Sequence, residues 1–175
     1  MQAVRTAFAG DRLIFVTAQR HMKVEEPVRG DLFEYGTVAE ITQMVTLPDG
    51  ILRIRVNGRY RARMLDLSAS EGTLWGDIQP IESPSLQNED RTRLEAMRRL
   101  TVRKFEDYAK KIGRVPADTV TTVSATASLD KLTDMVSDAL LVSVEEKQDL
   151  IEAADIPKRL SRLVEILDAE IEILN

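Results

Sequence analysis

Residues 36–65 read GTVAEITQMVTLPDGILRIRVNGRYRARML, and this stretch decides the fold. The Asp49-Gly50 pair between two runs of β-branched residues predicts a tight hairpin turn, because glycine readily takes the positive φ that the turn requires. After the turn, apolar and polar residues alternate as in a strand with one dry and one wet face. The alternating residues are Leu52, Ile54 and Val56 against Arg53, Arg55 and Asn57. We predict two strands joined by this turn, followed by a third strand beyond Asn57-Gly58. In the third strand Tyr60, Ala62 and Met64 alternate with Arg59, Arg61 and Arg63.

The rest of the first 82 residues adds two strands and one helix. The apolar run Leu13 to Ala18 predicts a strand buried on both faces. Thr73 to Ile81 predicts one more strand, whose Pro80 places its end at a sheet edge. Met1 to Ala9 has helical spacing and ends before Gly10. Residues 1–82 are therefore predicted to form a β-rich lobe with an antiparallel, partly open, barrel-like sheet and one helix.

Helical spacing dominates the remainder of the chain. Ser83-Pro84-Ser85 ends the strand signals, and a long helix is predicted from about Gln87 to Gly113. Ser143 and Glu146 form a capping-box pattern, and Asp155 is placed to cap the last helix. Residues 83–175 are predicted to form a helical bundle. Strands followed by helices indicate an α+β fold rather than an alternating α/β fold.

Composition excludes several classes of function. The net charge of −5 over 175 residues argues against a dedicated nucleic-acid binder, which usually needs a basic surface. The absence of cysteine removes disulfides and thiolate chemistry, and it fits a reducing, cytoplasmic location. The sequence has no apolar run of about 18 residues, so we expect no membrane span.

The residues of common catalytic and metal sites are nearly absent. His21 is the one histidine, and it lies in a polar loop. The sequence contains no phosphate-binding loop of the Walker type and no pair of histidines at ligand spacing. We therefore expect no catalytic residue, no cofactor-binding residue and no metal site in this chain.

Two surface patterns remain as candidate binding sites. The arginines at 53, 55, 59, 61 and 63 can be a solvated sheet face, a docking face for an acidic partner or, less favoured, a nucleic-acid face. Apolar residues also surround the hairpin tip and precede the second strand, where they pack in a core or contact a partner. They are Met44, Val45, Leu47 and Pro48 at the tip, with Phe33 and Tyr35 before the strand.

Several segments together resemble the N-terminal domain of Lon, the ATP-dependent serine protease. They are DRLIFVTAQR, DLFEYGTVAEI, LPDG and RYRARML in the first half, and VEEKQDLIEAADIPKRLSRLVEIL near the end. The resemblance implies a non-catalytic domain that recognises damaged or unfolded proteins and helps a hexamer assemble. It also implies that ATP and Mg²⁺ bind to another module, and that a Ser-Lys dyad in a third module cuts the substrate.

The resemblance and the sequence together give the functional expectation. We expect weak hydrophobic capture of unfolded segments, with Phe33, Tyr35, Met44, Val45, Leu47 and Pro48 as the contact residues. Relative to Lon, the chain looks truncated at both ends, because a leading strand is missing and the last apolar helix has no stop signal. An uncovered sheet edge is therefore expected to promote dimerisation. The alternatives are a stand-alone substrate-binding protein and an adaptor that uses the arginines.

Overall fold

The computed structural model describes residues 2–21, 23–82 and 91–175. The chain divides into two compact units, Met1–Ile81 and Glu82–Asn175. In the described residues all sheet strands lie in the first unit, and five of the six α-helices lie in the second. The predicted α+β order is confirmed. The predicted break at Ser83-Pro84-Ser85 and the predicted helix start at Gln87 lie outside the described residues.

The first unit is one helix and a four-stranded antiparallel sheet. Its elements are α1 (Gln2–Ala9), β1 (Leu13–Val16), a short 3-10 helix (Arg29–Asp31), β2 (Tyr35–Thr46), β3 (Leu52–Ser70) and β4 (Thr73–Pro80). The strands adjoin in chain order. The described strands do not close into a barrel, so the predicted open antiparallel sheet is confirmed.

Strand β3 is one strand of 19 residues, and the separate strand predicted after Asn57-Gly58 is wrong. Val38 pairs with Tyr60 while Ala39 pairs with Gly58, so Arg59 is an extra residue on β3. Gly58 does not take the positive φ that a tight turn requires. The strand therefore absorbs the Asn-Gly pair as a β-bulge and continues.

Strand β1 is confirmed in position, but the prediction that it is buried on both faces is wrong. It pairs with β2 alone and is an edge strand of the sheet. Leu13 is 37% exposed and Val16 is 46% exposed. The buried apolar residues of this unit lie mainly on β2, β3 and the segment before β2. They are Leu32, Phe33, Val38, Ala39, Ile41, Ala62 and Met64.

The second unit is a bundle of helices around one apolar core. The helices are α2 (Arg91–Ile112), α3 (Ala117–Ala125), α4 (Leu129–Ala139), α5 (Val144–Glu152) and α6 (Ile156–Ile173). The core includes Phe105, Tyr108, Val123, Leu132, Val136, Leu140, Leu150, Leu160, Leu163 and Leu167. Gly113 takes a φ of +65° directly after α2, which is the left-handed conformation that commonly ends a helix.

The predicted helix caps are confirmed. The Glu146 backbone N–H donates to Ser143 Oγ at 3.2 Å, and the Ser143 N–H donates to Glu146 Oε2 at 3.1 Å. At α6, the Lys158 N–H donates to Asp155 Oδ1 at 2.7 Å. These bonds satisfy backbone groups that the first turn of a helix leaves without an internal partner.

Candidate functional site

The hairpin between β2 and β3 is a closed loop of five residues, as the Asp-Gly signal predicts. The Leu47 N–H donates to the Ile51 carbonyl at 2.8 Å, and the Gly50 N–H donates to the Leu47 carbonyl at 2.9 Å. Gly50 takes a φ of +82°. Asp49 Oδ1 accepts from the Ile51 N–H at 3.0 Å, which fixes the backbone that follows the turn. The tip is thus held in a defined shape.

An open, largely apolar hollow of about 440 Å³ lies between this hairpin tip and helix α1. Its lining residues are Val4, Asp49, Gly50, Ile51, Leu52 and Ile54. Val4 comes from α1, and the others come from the turn and the start of β3. Ile51 is 58% exposed, so a branched apolar side chain borders the opening. Such a hollow can accept an apolar side chain of another chain.

The strand register divides the predicted tip residues between the two faces of the hairpin. Met44 pairs with Ile54, whereas Val45 pairs with Arg53. Directly paired residues project to the same face of a sheet. Met44 therefore shares the face of Ile54, which lines the hollow, and the exposed Val45 lies on the opposite face. Leu47 is half-buried and Pro48 is exposed, both in the loop itself.

The other two predicted contact residues lie at the opposite end of β2. Phe33 is buried and Tyr35 is half-buried. Their carbonyls both accept from Thr17 Oγ1, at 2.7 Å and 3.2 Å. The Arg20 guanidinium covers the Phe33 ring, at 4.4 Å from the ring centroid. The structure therefore does not bring Phe33 and Tyr35 to the hairpin tip.

Arginine side chains surround the Glu34 carboxylate, which lies between Phe33 and Tyr35 in the sequence. Arg63 donates to Glu34 Oε2 from Nε at 3.1 Å and from Nη2 at 2.9 Å. These bonds and the positive charge of Arg63 lower the pKa of the Glu34 carboxyl. The charges of Arg29 and Arg20 act in the same direction. The region is a compact ionic cluster rather than an apolar surface.

The five arginines predicted to share one sheet face do not do so. The bulge at Arg59 shifts the alternation, so Arg53 and Arg55 lie on the opposite face from Arg61 and Arg63. Arg59 itself pairs with Glu40. A continuous arginine face, which the nucleic-acid alternative would use, is therefore not formed.

None of the six predicted contact residues lines the hollow, whose apolar lining residues are Val4, Ile51, Leu52 and Ile54. Ile51 directly follows the turn glycine, and an apolar residue in a hairpin loop was the signal available. Val4 lies in the helix predicted over Met1 to Ala9, but nothing in the sequence pairs that helix with the hairpin tip. The two meet because β1, which follows α1 directly, begins opposite Glu40 on β2, and β2 continues from there to the tip.

The described portions of the chain hold no cluster of three or more His, Cys, Asp or Glu side chains able to bind a metal ion. In the same portions, no helix has the length and apolar character that crossing a membrane requires.

Comparison with known proteins places this fold in a family. The family model described as "ATP-dependent protease La (LON) substrate-binding domain" matches residues 1–169. The chain is 33% identical to the Lon protease of Heliobacterium modesticaldum over 174 residues, which are 99% of this chain and 21% of that protein. It is 31% identical to Lon protease 1 of Bacillus subtilis over 175 residues, 99% of this chain and 22% of that protein. The chain thus spans about a fifth of the length of these relatives.

Solved structures show the same fold at lower sequence identity. The N-terminal domain of a Lon protease from the Mycobacterium avium complex superposes with a TM-score of 0.70 at 18% identity. That match covers 95% of this chain and 84% of the other. A Lon N-terminal domain protein from Xanthomonas campestris gives a TM-score of 0.62 at 18% identity, over 94% of this chain and 81% of the other.

Proposed function

We propose, since the chain belongs to the family of Lon substrate-binding domains, that it captures unfolded protein segments at the β2–β3 hairpin tip. The observation that carries this proposal is the open apolar hollow between the tip and α1. An exposed Leu or Phe side chain of a client protein enters the hollow against Ile51, Leu52 and Ile54. Met44, Leu47 and Pro48 extend the contact along the tip, and Val45 offers a second apolar contact on the other face.

The proposed contact is weak, because it depends on the burial of single apolar side chains. Burying one large apolar side chain contributes about 1.5–3 kcal/mol, which is too little for tight binding by itself. Hydrophobic attraction has no direction, so it suits clients that share exposed apolar residues rather than one sequence. Several such domains in one assembly raise the overall affinity through effective concentration.

The proposal extends to the protein that carries this domain. In it, the captured segment passes to an ATP- and Mg²⁺-dependent unfolding module and a peptidase module of a cytoplasmic, hexameric protease. Self-association of the domain through an uncovered sheet edge belongs to the same proposal. A stand-alone substrate-binding protein is the alternative, and a Walker motif encoded downstream of Asn175 would decide against it.

A pair of variants with matched exposure tests the capture site. Ile51 and Leu141 are 58% and 59% exposed, and they lie in different units. We expect Ile51→Asp to weaken binding of reduced, carboxymethylated α-lactalbumin at least fivefold, because a carboxylate at the opening opposes entry of an apolar side chain. Leu141→Asp should leave binding unchanged.

Circular dichroism and thermal unfolding of both variants show whether each remains folded. The proposal is wrong if both variants bind the unfolded protein as tightly as the parent chain does. It is also wrong if they lose binding equally, because the loss would then not depend on the hairpin tip.

A further inference from the structure

An exposed indole lies on β4, close to the turn that joins β3 and β4. Trp75 is the one tryptophan in the sequence and is 53% exposed. It pairs with Ser68 across the strands. Tryptophan buries more area than most side chains and usually gains by doing so, which makes an indole held in solvent a marker for a binding surface.

Two carboxylates share the face of Trp75. The register places Asp66 directly opposite Asp77, and Asp77 lies two residues after Trp75 on the same strand. All three side chains therefore project to one face, and all three residues are exposed. Like charges placed directly opposite on neighbouring strands destabilise a sheet. A cation bound between them would relieve that repulsion.

Within the described part of the chain, a positive charge lies close to only one of the two carboxylates. Arg29 Nη1 lies 3.6 Å from Asp66 Oδ1, and both side chains are largely exposed. Asp77 forms no ion pair with any described residue. One carboxylate beside the indole is therefore available to a partner.

Three of the five other aromatic rings in this unit have a cation over them, in contrast to Trp75. The Phe8, Phe33 and Tyr35 rings each have an arginine guanidinium over them, at 5.1, 4.4 and 5.7 Å from the ring centroid. Among the described residues, no guanidinium or ammonium covers Trp75 in this way. Its ring face is open to a cation from another molecule, and indole is the side chain that binds cations best in this manner.

We propose that Trp75 and Asp77 form a second client contact, specific for a lysine or arginine side chain in an unfolded segment. The cation lies over the indole and pairs with the Asp77 carboxylate, while the aliphatic stem covers the ring. This inference rests on the proposed function and deepens it, because it adds a charge preference to hydrophobic capture. β3 runs 14 residues from Ile54 at the hollow to Ser68 opposite Trp75. Clients whose apolar and basic residues lie well apart in the chain would therefore engage both sites.

The single tryptophan is a built-in probe for the test. A 12-residue peptide of alternating lysine, leucine and serine should shift the Trp75 emission to shorter wavelength as it covers the indole. The same peptide with glutamine in place of every lysine should give little shift at equal concentration. We expect Asp77→Asn to weaken the lysine peptide about two- to fivefold, the range for a solvent-exposed charge contact. Asp138→Asn, an exposed aspartate in the second unit, is the matched control and should change nothing.

Three outcomes would overturn the inference. The first is an equal shift with the lysine and glutamine peptides. The second is a lysine-peptide affinity that Asp77→Asn leaves unchanged. The third is a shift that depends on protein concentration without peptide, because a second copy of the chain would then cover Trp75. Ile51→Asp separates this inference from the capture site, since it should weaken binding of the unfolded protein and leave the peptide-induced shift intact.

Discussion

The guanidinium of Arg159 is buried and donates from Nη2 to Asp134 Oδ1 at 2.6 Å. Its Nε also donates to the Leu150 carbonyl at 3.1 Å, and its Nη1 lies 3.7 Å from Asp130 Oδ1. Arg159 belongs to α6, the two aspartates belong to α4 and Leu150 belongs to α5. One planar side chain thus links three helices of the second unit.

Arg159→Lys should destabilise the second unit by about 2 kcal/mol. A single ammonium cannot reach both the aspartate and the Leu150 carbonyl, so a buried acceptor loses its donor. Chemical denaturation followed by circular dichroism gives the free energy of unfolding. Arg103→Lys, at an exposed position on α2, is the control and should stay within about 0.5 kcal/mol of the parent. Equal stability of the two variants would show that the fork geometry does not matter.

Gly36→Ala should destabilise the first unit by about 1–3 kcal/mol, the usual cost of overpacking. A Cβ at Gly36 would lie 2.3 Å from the Val16 carbonyl oxygen and 2.8 Å from Phe15 Cζ. A backbone oxygen cannot rotate away, so β1 would have to shift from β2. Gly30→Ala is the matched control, because nothing lies within 4 Å of the added carbon there. Thermal unfolding of both variants measures the loss of stability. A Tm for Gly36→Ala equal to that of the parent chain would show that β1 and β2 do not pack too closely for a Cβ at this position.

Glu95 should titrate far below the usual range. Hydrogen bonds from Arg98 and Arg99 lower the pKa of Glu95 to about 2 from its ordinary value of 4.5. Because the folded-state pKa lies below the unfolded one, its stabilising contribution is complete above about pH 4.5. That contribution disappears as the pH falls toward 2. Carbon-detected NMR should place the carboxyl midpoint near 2, and Arg99→Gln should raise it. A midpoint near 4.5 in the parent chain would contradict the pair of bonds.

The elements themselves were predictable because their signals are local. The Asp49-Gly50 turn, the capping box at Ser143 and the stop at Gly113 each depend on residues within one turn of the chain. The bulge at Arg59 was not predictable, since an Asn-Gly pair can make a turn or be absorbed in a strand. Pairing of Ala39 with Gly58 decides the outcome, and sequence alone does not give that register.

The candidate site was predicted only in part for a related reason. Apolar residues at the hairpin tip were visible in the sequence, but the hollow needs Val4 from another element as its second wall. The bulge on β3 also moves Arg53 and Arg55 to the face opposite Arg61 and Arg63, which no count of alternating residues can show. The sequence allowed Phe33 to pack in the core or to contact a partner. The structure buries it beneath Arg20, and this tertiary contact cannot be read from the sequence.

Site-specific photo-crosslinking tests the central claim most directly. p-Benzoylphenylalanine is placed at Ile51 in one variant and at Leu141 in another, and each is irradiated with reduced, carboxymethylated α-lactalbumin. The account predicts a strong crosslink from position 51 to apolar segments of the unfolded protein, and only background from position 141. Equal crosslinking from the two positions, or none from position 51, would contradict capture at the hairpin tip.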